Sequence, residues 1–331
     1  MKTLIIAEAG VNHNGDINIA YKLCEAAKNA GADVVKFQTW KTENLITKDV
    51  AQAEYQAENT GHAESQFDML KRLELSYDEF RKIKEYCEQI GIIFSTTADD
   101  FESLDFVASL GVPFLKIGSG EIGNIAFLRE HGRKGLPIIL STGMSTLEDI
   151  EISIQALREG GAKEITLLHC TTSYPCPTDR VNLLAMQTMK NTFKLPIGYS
   201  DHTVGIEVPI AAVSIGATVI EKHFTLDQTM PGPDHKASME PKEFKEMVEA
   251  IRKIEIALGD GRKEPTKEEK EIAKVVTKRI VALKRIEEGT IITDKHITIK
   301  RCEKGRHAKY WDMVVGSVAD RSYEIDEGII I

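Results

Sequence analysis

Short apolar runs, each ending in polar or small residues, recur along the chain with room for one helix between most of them. They are Leu4 to Ala9, Asp33 to Gln38, Ile92 to Thr96, Phe114 to Gly118, Ile138 to Ser141, Ile165 to Cys170, Ile197 to Ser200 and Val219 to His223. Runs this short and this continuously apolar are what strands covered on both faces require, as in parallel sheets. Helix-ending signals precede most of them: Gly31-Ala32, Gly91, Gly111-Val112-Pro113, Gly135-Leu136-Pro137, Gly161-Ala162 and Gly216-Ala217. Between them, Ile17 to Ala30, Thr146 to Glu159, Val204 to Gly216 and Pro241 to Leu258 read as helices. Strands and helices alternating in this way up to Leu258 predict an α/β fold, a (β/α)8 TIM barrel, with an open doubly wound sheet as the alternative.

Two places break the rhythm. The step from the second strand to the third is the longest, and its excess, Lys41 to Gln66, is polar and follows a strand end, where barrel enzymes build their sites. It reads as a lid. After Leu258 the composition changes to Gly259-Asp260-Gly261-Arg262-Lys263-Glu264-Pro265 and a charged stretch up to Lys278. Short strand and turn patterns follow: Ile280 to Leu283, Thr290 to Ile292, Ile297 to Ile299, Val314 to Gly316 and Ile329 to Ile331. The expected organisation is a barrel over 1–262, a linker over 263–279 and a small β-rich domain over 280–331, too small to hold a large core unaided.

Charge narrows the partners. Of 331 residues, 42 are Lys or Arg against 51 Asp or Glu, a net charge of −9, and no long basic run occurs; nucleic acid and anionic membranes are disfavoured. Five cysteines, odd in number and without C-x-x-C spacing, suggest reduced thiols and a cytoplasmic setting. The N-terminal apolar run is short and contains Glu8, unlike a signal peptide.

In a barrel the strand tips carry the chemistry. Those tips collect Glu8, Lys36, Gln38, Thr96, Lys116, Ser119, Glu121, Ser141, Thr172, Tyr174, Asp201, His202, Glu221, Lys222 and His223. Two lysines inside apolar strands need anionic partners, either structural carboxylates or a substrate phosphate and carboxylate. His202 and His223 end adjacent strands joined by one helix, close enough to share a metal ion, although a single strand-end histidine is ordinarily just a hydrogen-bonded residue. The proline-rich loop Met230 to Pro241 presents Asp234, which can bind sugar hydroxyls or be an ordinary turn acid.

Seven stretches together resemble the sialic acid synthase family: Ile6-Ala7-Glu8-Ala9-Gly10-Val11-Asn12-His13-Asn14-Gly15, Val35-Lys36-Phe37-Gln38, Leu115-Lys116-Ile117-Gly118-Ser119-Gly120-Glu121, Leu140-Ser141-Thr142-Gly143-Met144, Leu168-His169-Cys170-Thr171, Ser200-Asp201-His202-Thr203 and Glu221-Lys222-His223-Phe224-Thr225. The tail from Ile280 to Arg301 resembles the antifreeze-like (SAF) domain that closes that family. The loop Gly232 to Ser238 and the stretch Glu64-Ser65-Gln66-Phe67 are most similar to its N,N'-diacetyllegionaminate branch.

The resemblance implies condensation of phosphoenolpyruvate with an open-chain N-acetylated mannosamine-type sugar, with C–O cleavage, phosphate release and a nine-carbon 2-keto acid as product. The implied sugar is 2,4-diacetamido-2,4,6-trideoxymannose, the alternative N-acetylmannosamine. It implies Mn2+ or Mg2+ on His202 and His223; phosphoenolpyruvate on Lys36, Gln38, Thr96, Lys116, Ser119, Ser141 and Thr172; and the sugar on Glu8, Tyr174 and Asp234. Glu121 would serve as the base for the water attacking C2. It also implies a domain-swapped homodimer in which Arg301 reaches the partner's sugar. Two departures stand out. Thr172 replaces an Asn found in some members, and Lys300-Arg301-Cys302-Glu303-Lys304-Gly305-Arg306 replaces the usual Arg-Pro-Gly run, which leaves Arg306 as a substitute for Arg301. A barrel metallohydrolase, which would want His-x-His on the first strand, and a non-catalytic sugar-binding protein are the competing readings.

Overall fold

The computed structural model describes residues 2–50 and 65–331, so most of the expected lid, 51–64, lies outside the described residues. The chain divides into two compact units, Met1–Gly259 and Asp260–Ile331.

In the first unit, eight parallel strands close into a barrel in sequence order, which excludes the open sheet. They are β1 (Leu4–Gly10), β2 (Val34–Thr39), β3 (Ile93–Ala98), β4 (Leu115–Ile117), β5 (Ile138–Ser141), β6 (Ile165–His169), β7 (Ile197–Asp201) and β8 (Val219–His223). Closure is made where Leu4 to Glu8 pair with Val219 to His223. The helices between them start and stop on the signals in the sequence. Asp16 caps Ile17–Asn29, Ser76 with Glu79 and Thr146 with Asp149 form capping boxes, and Gly91 and Gly161 end helices in the left-handed conformation.

Side chains alternate across each strand, so one set packs outward against the helices and the other fills the lumen. Ile6, Val34, Phe114, Ile139, Leu168 and Val219 form a separate apolar cluster. They plug the barrel floor. Gly198 makes this possible, since a Cβ there would stand 2.5 Å from Leu168 Cδ2 and 2.5 Å from the Val219 carbonyl oxygen. One step toward the C-terminal ends, the same lumen-facing positions carry Glu8, Lys36, Lys116, Ser141, Ser200 and Glu221. Floor apolar, roof charged: the alternation delivers polar groups only where a site is open to solvent.

The second unit has its own buried cluster, including Ile280, Ile286, Ile292, Ile297, Tyr323 and Ile329. Strands Lys278–Ala282 and Ile297–Arg301 pair antiparallel, and isolated bridges such as Ile291 with Val318 extend the β character. Two expectations change. The expected linker contains a helix, Lys267–Val276, opened by a Thr266–Glu269 capping box and with no buried residue. Val314, expected in a strand, ends the short helix Trp311–Val314. Among the described residues no helix is long and apolar enough to cross a membrane.

Candidate active site

The two in-strand lysines are held by carboxylates and hydroxyls of neighbouring strands. Lys36 Nζ lies 2.7 Å from Glu8 Oε2 and donates to Thr97 Oγ1 at 3.0 Å. Gln38 Nε2 donates to the other Glu8 oxygen at 3.2 Å. Lys116 Nζ donates to Ser141 Oγ at 2.8 Å and to the Ile117 carbonyl at 3.1 Å, with Glu221 Oε1 at 3.5 Å. All four ionisable side chains are almost wholly buried. Their environments push them apart. Burial raises the Glu8 carboxyl to about 7 despite Lys36. Burial opposes charge on Glu221 too, yet Lys116 and Lys36 hold that carboxyl below its ordinary range. Burial also lowers the Lys116 ammonium, with Glu221 opposing the shift.

These groups line a cavity of about 200 Å3 together with Asp99, Ser119, Thr172, Tyr174, His202 and His223. Ser119 Oγ accepts from the Gly143 N–H at 2.8 Å. A Cβ at Gly143 would fall 2.3 Å from Thr172 Oγ1 and 3.0 Å from Ser119 Oγ, so glycine is what lets these hydroxyls converge. Two ammonium groups and several hydroxyls around one small space form an anion cradle.

The two histidines meet on the wall of this cavity, ring centroids 5.5 Å apart. The Thr171 carbonyl, 2.7 Å from His202 Nδ1, can only accept, so Nδ1 carries the proton and Nε2 keeps its lone pair. The His202 carbonyl is itself fixed by the Cys176 N–H at 2.7 Å. Burial lowers His202 and pushes His223 down to about 3, so both imidazoles are neutral. His223 Nδ1 is buried and has no hydrogen-bond partner among the described residues. Neutral rings with open lone pairs suit a divalent cation. Among the described residues no group of three or more His, Cys, Asp or Glu is arranged to hold a metal ion, so any ion on this pair would keep several positions for water or substrate.

A second cavity, about 220 Å3, shares Gln38, Tyr174 and His223 with the first. Its other walls are Val11, Met69, Leu70, Leu73, Pro233 and Asp234. The loop bearing Asp234 is rigid because His235, fully buried, bridges Thr225 Oγ1 and Asn14 Oδ1, while Asn12 donates to Ser238 Oγ and to the Phe224 carbonyl. Burial alone pushes the Asp234 carboxyl up to about 6. Its oxygens have no partner among the described residues, so they are open to a ligand's N–H or O–H.

The structure thus brings together Glu8, Lys36, Gln38, Lys116, Ser119, Ser141, Thr172, Tyr174, His202 and His223, with Asp234 next door. Two expected residues fall elsewhere. Thr96 pairs with Phe37 and faces out of the lumen, where its hydroxyl meets that of Thr39 at 2.8 Å; strand alternation puts Thr97 inside instead. Glu121 does not line the cavity; in the turn after β4 it accepts from Asn124 Nδ2 at 2.7 Å. Glu221 was among the polar strand tips but without a role, and Asp99 was not singled out. Counting by twos from Ser95 would have found both Thr97 and Asp99. Arg301 ends its strand in the second unit with an exposed side chain, whereas Arg306 Nε donates to the Ile331 carbonyl.

Comparison with known proteins gives a consistent picture. A family model described as "NeuB family" matches residues 23–263. The chain is 48% identical to an N,N'-diacetyllegionaminic acid synthase of Campylobacter jejuni over 98% of each sequence. It is 45% identical to one of Legionella pneumophila over 96% of this chain and 90% of that one. Among solved structures, an N-acetylneuraminic acid synthetase from Leptospira borgpetersenii superposes with a TM-score of 0.73 at 36% identity, covering 83% of this chain and 91% of that one.

Proposed function

The chain belongs to the NeuB family, and on that footing we propose that it condenses phosphoenolpyruvate with 2,4-diacetamido-2,4,6-trideoxymannose, releasing phosphate and forming an N,N'-diacetyllegionaminate-type 2-keto acid. The observation that carries this reading is the pair of joined cavities of opposite character. One is an anion cradle; the other offers a carboxylate, an amide, a phenol and five apolar side chains and, among the described residues, no charged cation. Phosphoenolpyruvate, with phosphate and carboxylate close together, matches Lys36, Lys116, Ser119, Ser141 and Thr172, and Thr97 takes the place expected for Thr96. The neutral sugar matches the second cavity: Asp234 and Gln38 receive and give hydrogen bonds, and Val11, Met69, Leu70 and Leu73 meet methyl groups. A 6-deoxy carbon and two acetamido methyls suit this wall better than the hydroxyls of N-acetylmannosamine, which would lose water there without gaining a partner.

His223 lines both cavities and His202 stands next to it, so the aldehyde end of the sugar would meet phosphoenolpyruvate beside this pair. Their neutral, open lone pairs fit Mn2+ or Mg2+, which when bound would polarise the aldehyde. The rest of the work falls to the chain's own groups. Tyr174 covers His202 with ring centroids 4.3 Å apart and shields the junction from water. Glu8, between Lys36 and Gln38 and with a carboxyl near neutrality, takes a proton from the water that attacks C2 and returns it to the oxygen derived from the aldehyde. Lys36 and Lys116 counter the charge that gathers on phosphate. We assign the base role to Glu8 rather than to Glu121, whose carboxylate accepts from Asn124 beside the cavity. We read the second unit as the SAF domain of a swapped homodimer, supplying Arg301 to the partner's sugar site, and the setting as cytoplasmic. The test is phosphate release in the presence of Mn2+, which should require both phosphoenolpyruvate and an N-acyl sugar; release from phosphoenolpyruvate alone, or none with either sugar, would overturn the reading.

A further inference from the structure

We propose that Asp99 is a second catalytic group of this site, the acid that hands a proton to phosphate as its bond to carbon breaks. The assignment rests on phosphoenolpyruvate occupying the lysine cradle. Asp99 follows β3 at the same parity as Ser95 and Thr97, and its N–H extends the ladder by donating to the Thr39 carbonyl at 3.1 Å. It therefore stands one layer above Thr97, the hydroxyl that receives Lys36, and it lines the same cavity. The adjacent acid has a different task. Asp100 caps the helix Phe101–Ser109, accepting from Ser103 N at 2.9 Å, Ser103 Oγ at 2.6 Å and Lys41 N at 2.7 Å. Asp99 has no such work: its carboxyl has no hydrogen-bond partner among the described residues.

An ionised, unpaired carboxylate on the wall of an anion cradle would repel phosphate. A protonated one donates to it. The charged groups facing Asp99 are Lys36 from β2, Glu121 from the turn after β4, Glu8 from β1 and Asp100 beside it; burial outweighs Lys36, the acids add to burial, and the carboxyl rises to about 7. A bound phosphate adds another negative charge and loads the proton further. The lysines are poorer donors. Lys36 is held charged against its burial by Glu8 and Glu221. Lys116 spends its N–H groups on Ser141, the Ile117 carbonyl and Glu221.

The step balances without any further reactant. After water has added, C2 carries a hydroxyl and a phosphate ester. The C2–O bond to phosphate breaks, and its electron pair stays on the phosphate oxygen, which takes the Asp99 proton. The O–H electrons of the C2 hydroxyl form the carbonyl, and that proton passes to the Glu8 carboxylate. Glu8 is left protonated and Asp99 ionised, and exchange with solvent resets both.

The experiment is steady-state phosphate release by the full chain with Mn2+, phosphoenolpyruvate and 2,4-diacetamido-2,4,6-trideoxymannose from pH 5.5 to 9. Asp99→Asn keeps a neutral donor, so the KM for phosphoenolpyruvate should stay within about threefold while kcat falls by about 100-fold or more. The wild-type decline of kcat above about pH 7 should vanish in the variant. Asp99→Ala should recover part of its rate on addition of formate, which a purely structural role would not allow. Asp99→Asn with kcat within threefold of wild type, a loss confined to KM, or a wild-type profile without an alkaline decline would each overturn the assignment. The last measurement holds even if the variants fail to fold. If the wild type releases no phosphate with either sugar, it is the proposed function that fails; if it turns over and Asp99→Asn keeps pace, only this inference does.

Discussion

Asp201 and Lys222 face each other across β7 and β8, and their buried ion pair staples the turn that carries His202. They are register partners in the ladder, one immediately before His202 and the other immediately before His223. Lys222 Nζ also donates to the Thr203 carbonyl at 2.7 Å, and Asp201 Oδ1 accepts from Thr203 N at 3.0 Å and Thr203 Oγ1 at 2.9 Å. The pair lies outside the lumen, so its consequence for the site is positional. Removing one partner leaves the other charge buried and alone, which costs about 3–5 kcal/mol. Lys222→Met should lower stability by that order in urea unfolding and weaken Mn2+ binding by about 10- to 100-fold in calorimetric titration. Pairing it with Asp201→Leu should restore much of the stability but not the Mn2+ affinity. A Lys222→Met protein that binds Mn2+ like wild type would remove the positional role.

Asp234 should give the sugar step an acid limb. Its carboxyl is raised from the ordinary value of 3.8 to about 6, so it is ionised above about pH 6 and protonated below. As pH falls through that value the site loses an acceptor, and kcat/KM for the sugar should fall with it. Asp234→Asn should lower kcat/KM for the sugar by about 10-fold or more, the worth of a charge-assisted hydrogen bond, leave the KM for phosphoenolpyruvate unchanged and remove the component of the limb near pH 6, leaving the one near 7 that Glu8 contributes as base. A limb near pH 6 that persists in the variant would point to a different group.

Strand order, barrel closure and most of the cradle were legible in the sequence because they depend on local signals. Apolar runs, αL glycines such as Gly91 and Gly161, and capping boxes such as Thr146–Asp149 fix where elements begin and end. What was not legible depends on parity and on long-range pairing. Thr96 and Thr97 are equivalent as composition, and only the register of Lys36 with Ser95 decides which enters the lumen. Glu121 and Asp99 both follow strands, but Asn124 captures the first, while Asp100 does the capping and the carboxyl of the second has no hydrogen-bond partner among the described residues. The Lys267–Val276 helix looked like linker because no position on it is buried within its own unit, and helical periodicity without burial is a weak signal.

The apolar wall of the second cavity should set the choice of sugar. Val11, Met69, Leu70 and Leu73 offer no partner to a hydroxyl, and such a pocket discriminates by about 10- to 100-fold in kcat/KM. Wild type should prefer the trideoxy sugar over N-acetylmannosamine by that range. Leu70 is only partly buried, so Leu70→Asn should fold and should narrow the preference by supplying a hydrogen-bonding group. Equal turnover of both sugars by wild type would remove this role from the wall, and a preference for N-acetylmannosamine would assign the enzyme to that sugar, with the condensation chemistry intact in both cases.

Arg301 offers a test of the swapped dimer that does not depend on seeing the interface. In the proposed arrangement each site takes its histidines from one chain and its arginine from the other. Arg301→Ala should then raise the sugar KM several-fold, and His223→Ala should remove turnover. Unfolded together and refolded at equal concentrations, the two variants form mixed dimers in about half of the molecules, and each mixed dimer has one site with neither substitution. Full-affinity activity should therefore return to about a quarter of the wild-type level, measured at sugar concentrations too low for the Arg301→Ala site to contribute. If each site used its own chain's Arg301, mixing would restore nothing beyond the sum of the separate variants. If Arg301→Ala alone left the sugar KM unchanged, the arginine would lie outside the site altogether, and Arg306, tied by its Nε to the Ile331 carbonyl, would have to break that bond to replace it.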